Sequence, residues 1–223
     1  MQPTYLPWAG YFNLIASVDT FVFLDDVQFD RRSWQSRNRI FDGGKVAWLS
    51  CPVKKAPRET LIQDLSLSDD VNWQQVHAKK IQLNYANAPF FSEMESILHA
   101  LVNLHSCSLS NVNQTLIREI CQRLEIHTNF VNASELKLPG QRSEHLLNIC
   151  KYLSCEQYLS PQGSKDYLLQ DGTFSHSGVE LAFQSYEPQP YSQKHSNEFV
   201  SHLSIIDVIA NIGLNQTKQY ILG

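Results

Sequence analysis

The sequence lacks the short motifs that would assign it at once to a common enzyme class. Its five cysteines include no Cys-x-x-Cys pair, and its eight histidines include no His-x-x-x-His. There is also no Gly-x-Ser-x-Gly and no complete phosphate-binding loop. These absences argue against a zinc site, a serine triad of the hydrolase type and a P-loop nucleotidase.

Long apolar runs and secretion signals are absent as well. No stretch approaches the roughly 18 apolar residues of a membrane-spanning helix, and the amino end lacks the basic-then-apolar pattern of a signal peptide. An odd number of cysteines without paired spacing fits a reducing compartment better than a disulfide framework. We therefore expect a soluble, cytoplasmic protein without membrane insertion.

Charge is scarce overall but concentrated in one place. The chain has 18% charged residues and a net charge of -4, whereas residues 31–58 carry eight basic side chains against Asp42 alone. A basic segment in an acidic protein indicates a small anionic ligand such as a phosphate or a nucleotide-sugar. A solvated basic face is the alternative. One short basic segment gives little support for nucleic-acid binding, although aminoacyl-tRNA stays open as a partner.

The hydrophobic pattern predicts strands that alternate with helices. Short β-branched or aromatic runs predict strands at 20–26, 46–53, 128–131, 156–160 and 180–186. Longer periodic stretches predict helices at 10–18, 73–86, 92–106, 109–125 and 143–154, the last with Ser143 as N-cap. This order indicates an α/β fold with a Rossmann-like, largely parallel sheet. We predict one domain over 1–223, with a helical insertion at about 73–125.

The opening segment, QPTYLPWAGYF at 2–12, is rigid and aromatic. Prolines fix its backbone, a glycine permits close approach, and its rings could stack on a base or a sugar. The alternative is an aromatic plug that closes the edge of the sheet. The predicted ligand contacts in this segment are Gln2, Tyr5, Trp8, Gly10 and Tyr11.

Two further candidate segments follow the first predicted strand. In DDVQF, Asp25 and Asp26 end that strand; successive residues face opposite ways, so one carboxylate should enter a site, with Gln28 on the face of Asp26. In RRSWQSRNR, a helix would place Ser33 beside Arg37 and Trp34 beside Asn38. Arginine forks bind phosphate, so we expect anion binding by Arg31, Arg32 and Arg37. A strand-end turn and ion pairs with the nearby aspartates are the alternatives.

A third polar loop, in YLSPQGSKDY at 158–167, follows a later strand. One glycine is a weak phosphate-loop signal, and an ordinary turn is the alternative. The candidates are Ser160, Gly163, Lys165, Asp166 and Tyr167. Cys51 as nucleophile and His145 as base are weaker candidates; the patterns favour a buried thiol and a surface helix position, respectively.

These segments resemble one known family along nearly the whole chain. Gln-Pro-x-Tyr-Leu-Pro-Trp-x-Gly-Tyr-Phe, then Asp-Asp-Val-Gln and Ser-Trp-x-x-Arg-Asn, are similar to the opening of the WbqC-like family. LSCPVKK, NYANAPFF, SEHLLNICKYL, YLSPQGSKDYL and LSIIDVIANIG agree with it. Where this family tends to have glycine, the sequence has Pro161. The resemblance implies a role connected with bacterial O-antigen and other surface polysaccharides.

A second resemblance concerns the fold. LPWAGYFNLIASVDTFVFL and GSKDYLLQ are similar in layout to the HIGH superfamily of nucleotidyltransferases, especially pantothenate synthetase. This implies a Rossmann-like fold of the same broad class. Where those enzymes have catalytic histidines, this chain has Trp8 and Tyr11.

Together these observations lead us to expect a transferase in surface-polysaccharide synthesis. It would move an acyl, aminoacyl or similar group to a nucleotide-linked sugar or related amine, with Asp25, Asp26 and Lys165 as catalytic candidates. Alternatives are an ATP-dependent adenylate-forming enzyme, in which magnesium would enter with the nucleotide, and a non-catalytic binding or scaffold protein. No metal ligand and no other cofactor is predicted, and no sequence signal sets an oligomeric state.

Overall fold

The computed structural model describes residues 1–69 and 72–223 and confirms an α/β fold. Six short strands lie among eight α-helices in the described ranges. The strands are β1 (Thr20–Phe23), β2 (Arg37–Asp42), β3 (Lys45–Ser50), β4 (Asn129–Asn132), β5 (Gln157–Ser160) and β6 (Glu180–Phe183). The helices are α1 (Ala9–Ala16), α2 (Trp73–Tyr85), α3 (Glu95–Val102), α4 (Leu109–Arg123), α5 (Ala133–Leu136), α6 (Arg142–Tyr152), α7 (Lys165–Asp171) and α8 (Ile205–Leu222).

The strands form three separate pairs. β1 pairs in parallel with β4, and β5 pairs in parallel with β6. β2 and β3 form an antiparallel hairpin through Gly43 and Gly44, which both adopt the positive φ that such a tight connection needs. The five strands predicted from hydrophobic runs are therefore present, and the helices α2 to α4 occupy the predicted helical stretch between β3 and β4.

The hairpin corrects the helix expected around residue 37. Asn38 and Ile40 are buried, whereas Arg37 and Arg39 lie on the other face and are partly exposed. Burial that alternates at every second residue is typical of a strand. The sequence did not show this pattern because Asn38, a polar residue, occupies a buried position where an apolar residue is expected. Ser143 is also not an N-cap: α6 begins at Arg142, and Ser143 is buried in its first turn.

Two apolar clusters hold these elements together. The larger one joins the opening segment, β1, the hairpin, α2 to α4 and α8, and includes the predicted stripe Val112, Leu116, Ile120 and Leu124, all buried. The smaller one lies between α6, α7 and the β5–β6 pair, with Leu168 and Phe174 near its centre.

Candidate functional site

The opening segment is part of the core. Tyr5 and Tyr11 are almost completely buried. The Tyr5 hydroxyl lies 2.8 Å from Nδ1 of His77, and the Tyr11 hydroxyl donates to the Gln2 carbonyl at 3.0 Å. Burial raises the pKa of both phenols well above the usual value. Their predicted role as stacking faces for a ligand is therefore corrected: both rings and both hydroxyls are used in packing.

The backbone of the same segment is also fully engaged. Leu6 has a positive φ of 42°, which costs energy for a residue with a side chain. Four carbonyls at positions 3–7 accept hydrogen bonds from distant parts of the chain. The donors are Asn113 to Pro3, Asn38 to Tyr5 and Leu6, Ser204 to Leu6, and the Ile205 amide to Pro7. Asn38, predicted as a ligand contact, thus holds the opening segment.

Gly10 explains how Trp8 fits against α1. A Cβ built on Gly10 would lie 2.1 Å from the Trp8 ring, so only glycine leaves room for the indole. The indole also contacts His202, with ring centroids 4.5 Å apart, and Tyr186 at 5.7 Å. The close approach predicted at Gly10 is therefore made by Trp8.

The two adjacent aspartates at the end of β1 have different environments. Asp25 is buried and accepts hydrogen bonds from the Ser134 amide at 3.0 Å, the Ser134 hydroxyl at 2.9 Å and Gln114 at 3.4 Å. Its carboxylate therefore holds the start of α5 against α4. Asp26 lies beyond the end of β1 as well, and its carboxylate contacts His145 instead.

Asp26 and His145 form a polar pair on the wall of a cavity. Asp26 Oδ2 lies 3.0 Å from His145 Nε2, and the two side chains are 15% and 8% exposed. The two atoms are not aligned as a hydrogen bond, and Asp26 Oδ1 is buried without a hydrogen-bond partner among the described residues. The cavity has a volume of about 890 Å³. Its other polar lining includes Gln2, Gln28, Glu59, Arg142 and Tyr167.

The loop before α6 determines where His145 lies. The Pro139 carbonyl lies 3.4 Å from His145 Nδ1 and accepts a hydrogen bond from Asn148 at 3.1 Å. Gly140 has a φ of 106°, and a Cβ there would lie 2.9 Å from the His145 amide nitrogen. A glycine is therefore needed for the loop to pass close to the first turn of α6.

Arg142 and the amino end of α6 give one end of the cavity positive character. Arg142 has a left-handed φ of 52°, a strained geometry of a kind that is frequent at functional sites. No side chain caps α6, so its first amide groups and helix dipole add partial positive charge. Tyr167 lies close by; burial raises its pKa, and Ser143 and Arg142 oppose that shift.

The basic segment lies beside the cavity rather than in it. Arg31 donates to the Ala56 carbonyl, and Arg32 is exposed with a φ of 62°. The Arg37 guanidinium lies 4.0 Å from the centre of the Trp48 ring, and Trp34 packs on that ring at 5.1 Å. These four predicted residues are not among those that line the cavity.

The third predicted loop contributes one residue to the cavity wall. Ser160 is buried at the end of β5, and Gly163 lies in a short 3-10 turn. Lys165 and Asp166 are exposed in the first turn of α7, with Lys165 Nζ 5.7 Å from the Phe183 ring. Of this group Tyr167 lines the cavity, and the stretch expected to be a loop continues as a helix.

The cavity lining that the sequence analysis did not predict includes Glu59, Gly140, Gln141 and Arg142. His145 was considered, but its expected surface position is wrong, because the loop from Leu138 to Gln141 folds over it. The available signal was the spacing of Arg142 and His145, which puts both on one side of a helix after a Pro-Gly turn. Nothing in the sequence linked that helix to Asp26.

The arrangement defines an α/β protein with a polar cavity beside the carboxyl end of β1, a usual ligand position in such folds. The chain belongs to the WbqC-like protein family, whose model matches residues 2–219. It is also similar to "Uncharacterized protein Rv1507c" of Mycobacterium tuberculosis (strain ATCC 25618 / H37Rv). The two are 30% identical over 220 residues, which is 96% of this chain and 92% of the relative. No solved structure matches the chain.

The described residues form neither a metal site nor a membrane-spanning helix. Over residues 1–69 and 72–223, no three His, Cys, Asp or Glu side chains converge as a metal site would require. In the same part of the chain, no helix combines the length and the apolar character needed to cross a membrane.

Proposed function

We propose that the protein is a group transferase that acts on a nucleotide-linked sugar or a related amine in the synthesis of bacterial surface polysaccharide such as O-antigen. Membership of the WbqC-like family supplies the biological context. The observation that carries the chemistry is Asp26, whose Oδ1 has no hydrogen-bond partner in the described structure while Oδ2 faces His145 beside a cavity. A buried carboxylate oxygen without a partner is costly unless a ligand donor completes it.

Group transfer needs a base for the acceptor. The acceptor amine or hydroxyl loses a proton as its nitrogen or oxygen forms a bond to the transferred carbonyl carbon, and the bond from that carbon to the donor breaks. The Asp26–His145 pair is positioned to take that proton, and general bases of this type contribute about 10²- to 10⁴-fold to rate. In this proposal Asp25 is a positioning residue, because Ser134 and Gln114 occupy its carboxylate.

A nucleotide-linked sugar also needs a site for its phosphate groups. In this proposal Arg142 and the uncapped amino end of α6 form that anion site. A guanidinium and a helix amino end both favour phosphate. Arg31 and Arg32 lie on the loop after Gln28, which donates to the Arg58 carbonyl at 2.8 Å and so ties that loop to the cavity wall. These arginines, together with Lys165 and Asp166, which directly precede Tyr167 in α7, enter the proposal as residues of the cavity rim.

A binding panel tests this proposal. The purified protein is mixed with UDP-sugars, dTDP-sugars, acyl-CoA, free nucleotides, or ATP with magnesium, and unfolding is followed thermally. A native-state ligand at 100 times its Kd adds about 2.7 kcal/mol, which is a shift of a few degrees. We expect a shift with sugar nucleotides that Arg142→Ala, Asp26→Asn and His145→Gln each weaken at least tenfold in Kd.

Matched variants control for charge and for loss of a side chain. Arg123→Ala removes an exposed helical arginine paired with Glu119, and His99→Gln changes a histidine on α3, outside the cavity; both should leave binding unchanged. A shift with ATP and magnesium alone would replace the proposal with adenylate formation. No shift with any of these ligands would replace it with the scaffold role.

A further inference from the structure

The outer face of the β2–β3 hairpin exposes two tryptophans of the basic segment. Trp34, which precedes β2, and Trp48 in β3 are each 42% exposed, whereas Trp73 is buried. The two exposed rings pack on one another with centroids 5.1 Å apart and an angle of 53° between their planes. A contacting pair of exposed indoles offers continuous aromatic surface, which is enriched at binding interfaces.

Two arginines of β2 share this face with the tryptophans. Strand pairing places Arg39 opposite Trp48 and Arg37 opposite Ser50, so their side chains project to the same side of the hairpin. The central guanidinium carbon of Arg37 lies 4.0 Å from the centre of the Trp48 ring, and that of Arg39 lies 5.5 Å from the centre of the Trp34 ring. Each guanidinium therefore lies against one indole, within the range of cation–π attraction.

These guanidinium groups have no carboxylate partner among the described residues, whose ion pairs involve other basic side chains. The Nε atoms of Arg37 and Arg39 are buried and make no hydrogen bond to the described residues. Arg39 uses one terminal nitrogen to donate to the Ser201 and His202 carbonyls, at 3.1 and 3.2 Å. A guanidinium stacked on a ring keeps donors at its edge, and these are the donors that bind phosphate.

The charge around this face suits a polyanion. Residues 31–58 carry eight basic side chains against Asp42 alone, and Asp42 pairs with Lys80 at 2.7 Å. The net charge of -4 for the whole chain does not oppose binding here, because attraction depends on the local distribution of charge.

We propose that this face, which we define as Trp34, Arg37, Arg39 and Trp48 and call the Trp-Arg face, binds single-stranded nucleic acid. Bases stack on the exposed surface of the two indoles, and the guanidinium edges bind the flanking phosphates. Proteins that bind single strands combine aromatic platforms with basic groups in this way. The Trp-Arg face is separate from the cavity that contains Asp26, so this inference stands apart from the proposed function.

Other anionic ligands match the Trp-Arg face less closely. Sites for small nucleotides are concave and enclose most of the ligand, whereas these four side chains lie on the exposed side of a two-stranded hairpin. An acidic peptide would pair with the arginines but leave the indoles without planar partners. An anionic membrane takes up aromatic rings on an apolar face, whereas here a guanidinium lies against each ring.

Binding of a labelled RNA strand to the full chain tests the proposal. A strand of about 12 nucleotides lies within the range of known single-strand sites, and its binding is followed by fluorescence anisotropy. We expect the strand to bind at least tenfold more tightly than the same sequence in a duplex, and to quench tryptophan fluorescence through stacking. Two phosphate contacts give a salt slope of about -1.4, so a rise from about 50 to 200 mM salt should weaken binding about sevenfold.

Two variants separate stacking from charge. Trp34→Leu keeps an apolar side chain but removes the ring, so it should weaken RNA binding at least fivefold with an unchanged salt slope. Arg37→Gln should weaken binding and reduce the salt slope by about 0.7, the value for one phosphate contact. Tyr152→Leu, at a position 61% exposed on α6, and Arg123→Gln on α4 are the matched controls and should change neither quantity. Thermal unfolding checks that each variant is folded.

Several outcomes would overturn the proposal. These are no binding of the RNA strand, equal affinity for the duplex, equal affinity for a glutamate peptide of the same length, and equal losses from Trp34→Leu and Tyr152→Leu. Binding of phosphatidylglycerol vesicles without binding of RNA would assign the Trp-Arg face to a membrane surface. A dimer that Trp34→Leu dissociates, again without RNA binding, would assign it to a second copy of the chain.

Discussion

The opening segment and the Asp26–His145 cavity differ in how the rest of the protein uses their polar groups. In the opening segment, four carbonyls and both buried tyrosine hydroxyls have defined partners. In the cavity, Asp26 Oδ1 has no partner in the described structure, and Arg142 carries backbone strain. Carbonyls held by distant side chains mark a structural element, and a buried carboxylate oxygen without a partner beside a cavity marks a candidate site.

We expect the largest loss of stability when the hydrogen bonds from Asn38 to the opening segment are removed. Asn38→Ala removes the donor to the Tyr5 and Leu6 carbonyls and leaves part of their buried hydrogen-bonding capacity unmet. At about 1–3 kcal/mol for each buried group, we expect a loss of about 3–4 kcal/mol in unfolding free energy, measured in urea. Asn103→Ala, which removes one exposed bond to His99, should cost less than about 0.5 kcal/mol. Similar losses of unfolding free energy for Asn38→Ala and Asn103→Ala would show that the opening segment does not depend on Asn38.

Acid should loosen the same region. Burial lowers the pKa of His77, the partner of the Tyr5 hydroxyl, to about 4, with a smaller contribution from Lys80 in the same direction. The unfolded chain, with an ordinary histidine pKa near 6.5, binds this proton first as pH falls. Stability should therefore drop by about 2–3 kcal/mol between pH 6.5 and 4 from this group. His77→Gln should remove that part of the slope, and an unchanged slope would contradict the assignment.

The smallest predicted effect on stability concerns the cavity. Gly140→Ala and Gly178→Ala both place a side chain at positive φ, but only the first would crowd the His145 backbone. We expect Gly140→Ala to be less stable than Gly178→Ala by about 1–2 kcal/mol, the range for local strain. It should also weaken ligand binding, because His145 must shift relative to Asp26. Equal stability together with equal binding would show that the loop does not position the pair.

The regular elements were predictable where hydrophobic period and composition agreed. The runs at 20–26 and 156–160 contain β1 and β5, and the stripe that begins at Val112 gave α4. β2 was missed because Asn38 occupies an inward position, from which it donates to the Tyr5 and Leu6 carbonyls. A polar residue at that position removes the apolar alternation that predicts a strand. The division of the strands into three separate pairs also had no local signal, since strand pairing depends on neighbours far along the chain.

The candidate site was predictable in part. The position of Asp26 after a buried strand predicted a ligand group, and alternation predicted that one of the two aspartates would enter a site. In the structure Asp25 is buried against Ser134 and Gln114, whereas Asp26 lines the cavity; the ligand role stays a prediction. Its partner His145 lies far away in sequence and is buried by a loop whose path depends on Gly140. The basic segment was a stronger signal in sequence, but its arginines hold carbonyls and indole rings.

The hydrogen bonds that hold the opening segment also determine when that segment can reach its final packing during synthesis. The Leu6 and Pro7 carbonyls accept hydrogen bonds from Ser204 and Ile205, so the opening segment depends on residues that are synthesised 198 positions later. At about 5–20 residues per second, the interval is roughly 10–40 s. Through that time the two tyrosines, the tryptophan and Phe12 lack their final packing. We therefore expect this aromatic segment of the nascent chain to be accessible to chaperones until residues 204–205 have been synthesised.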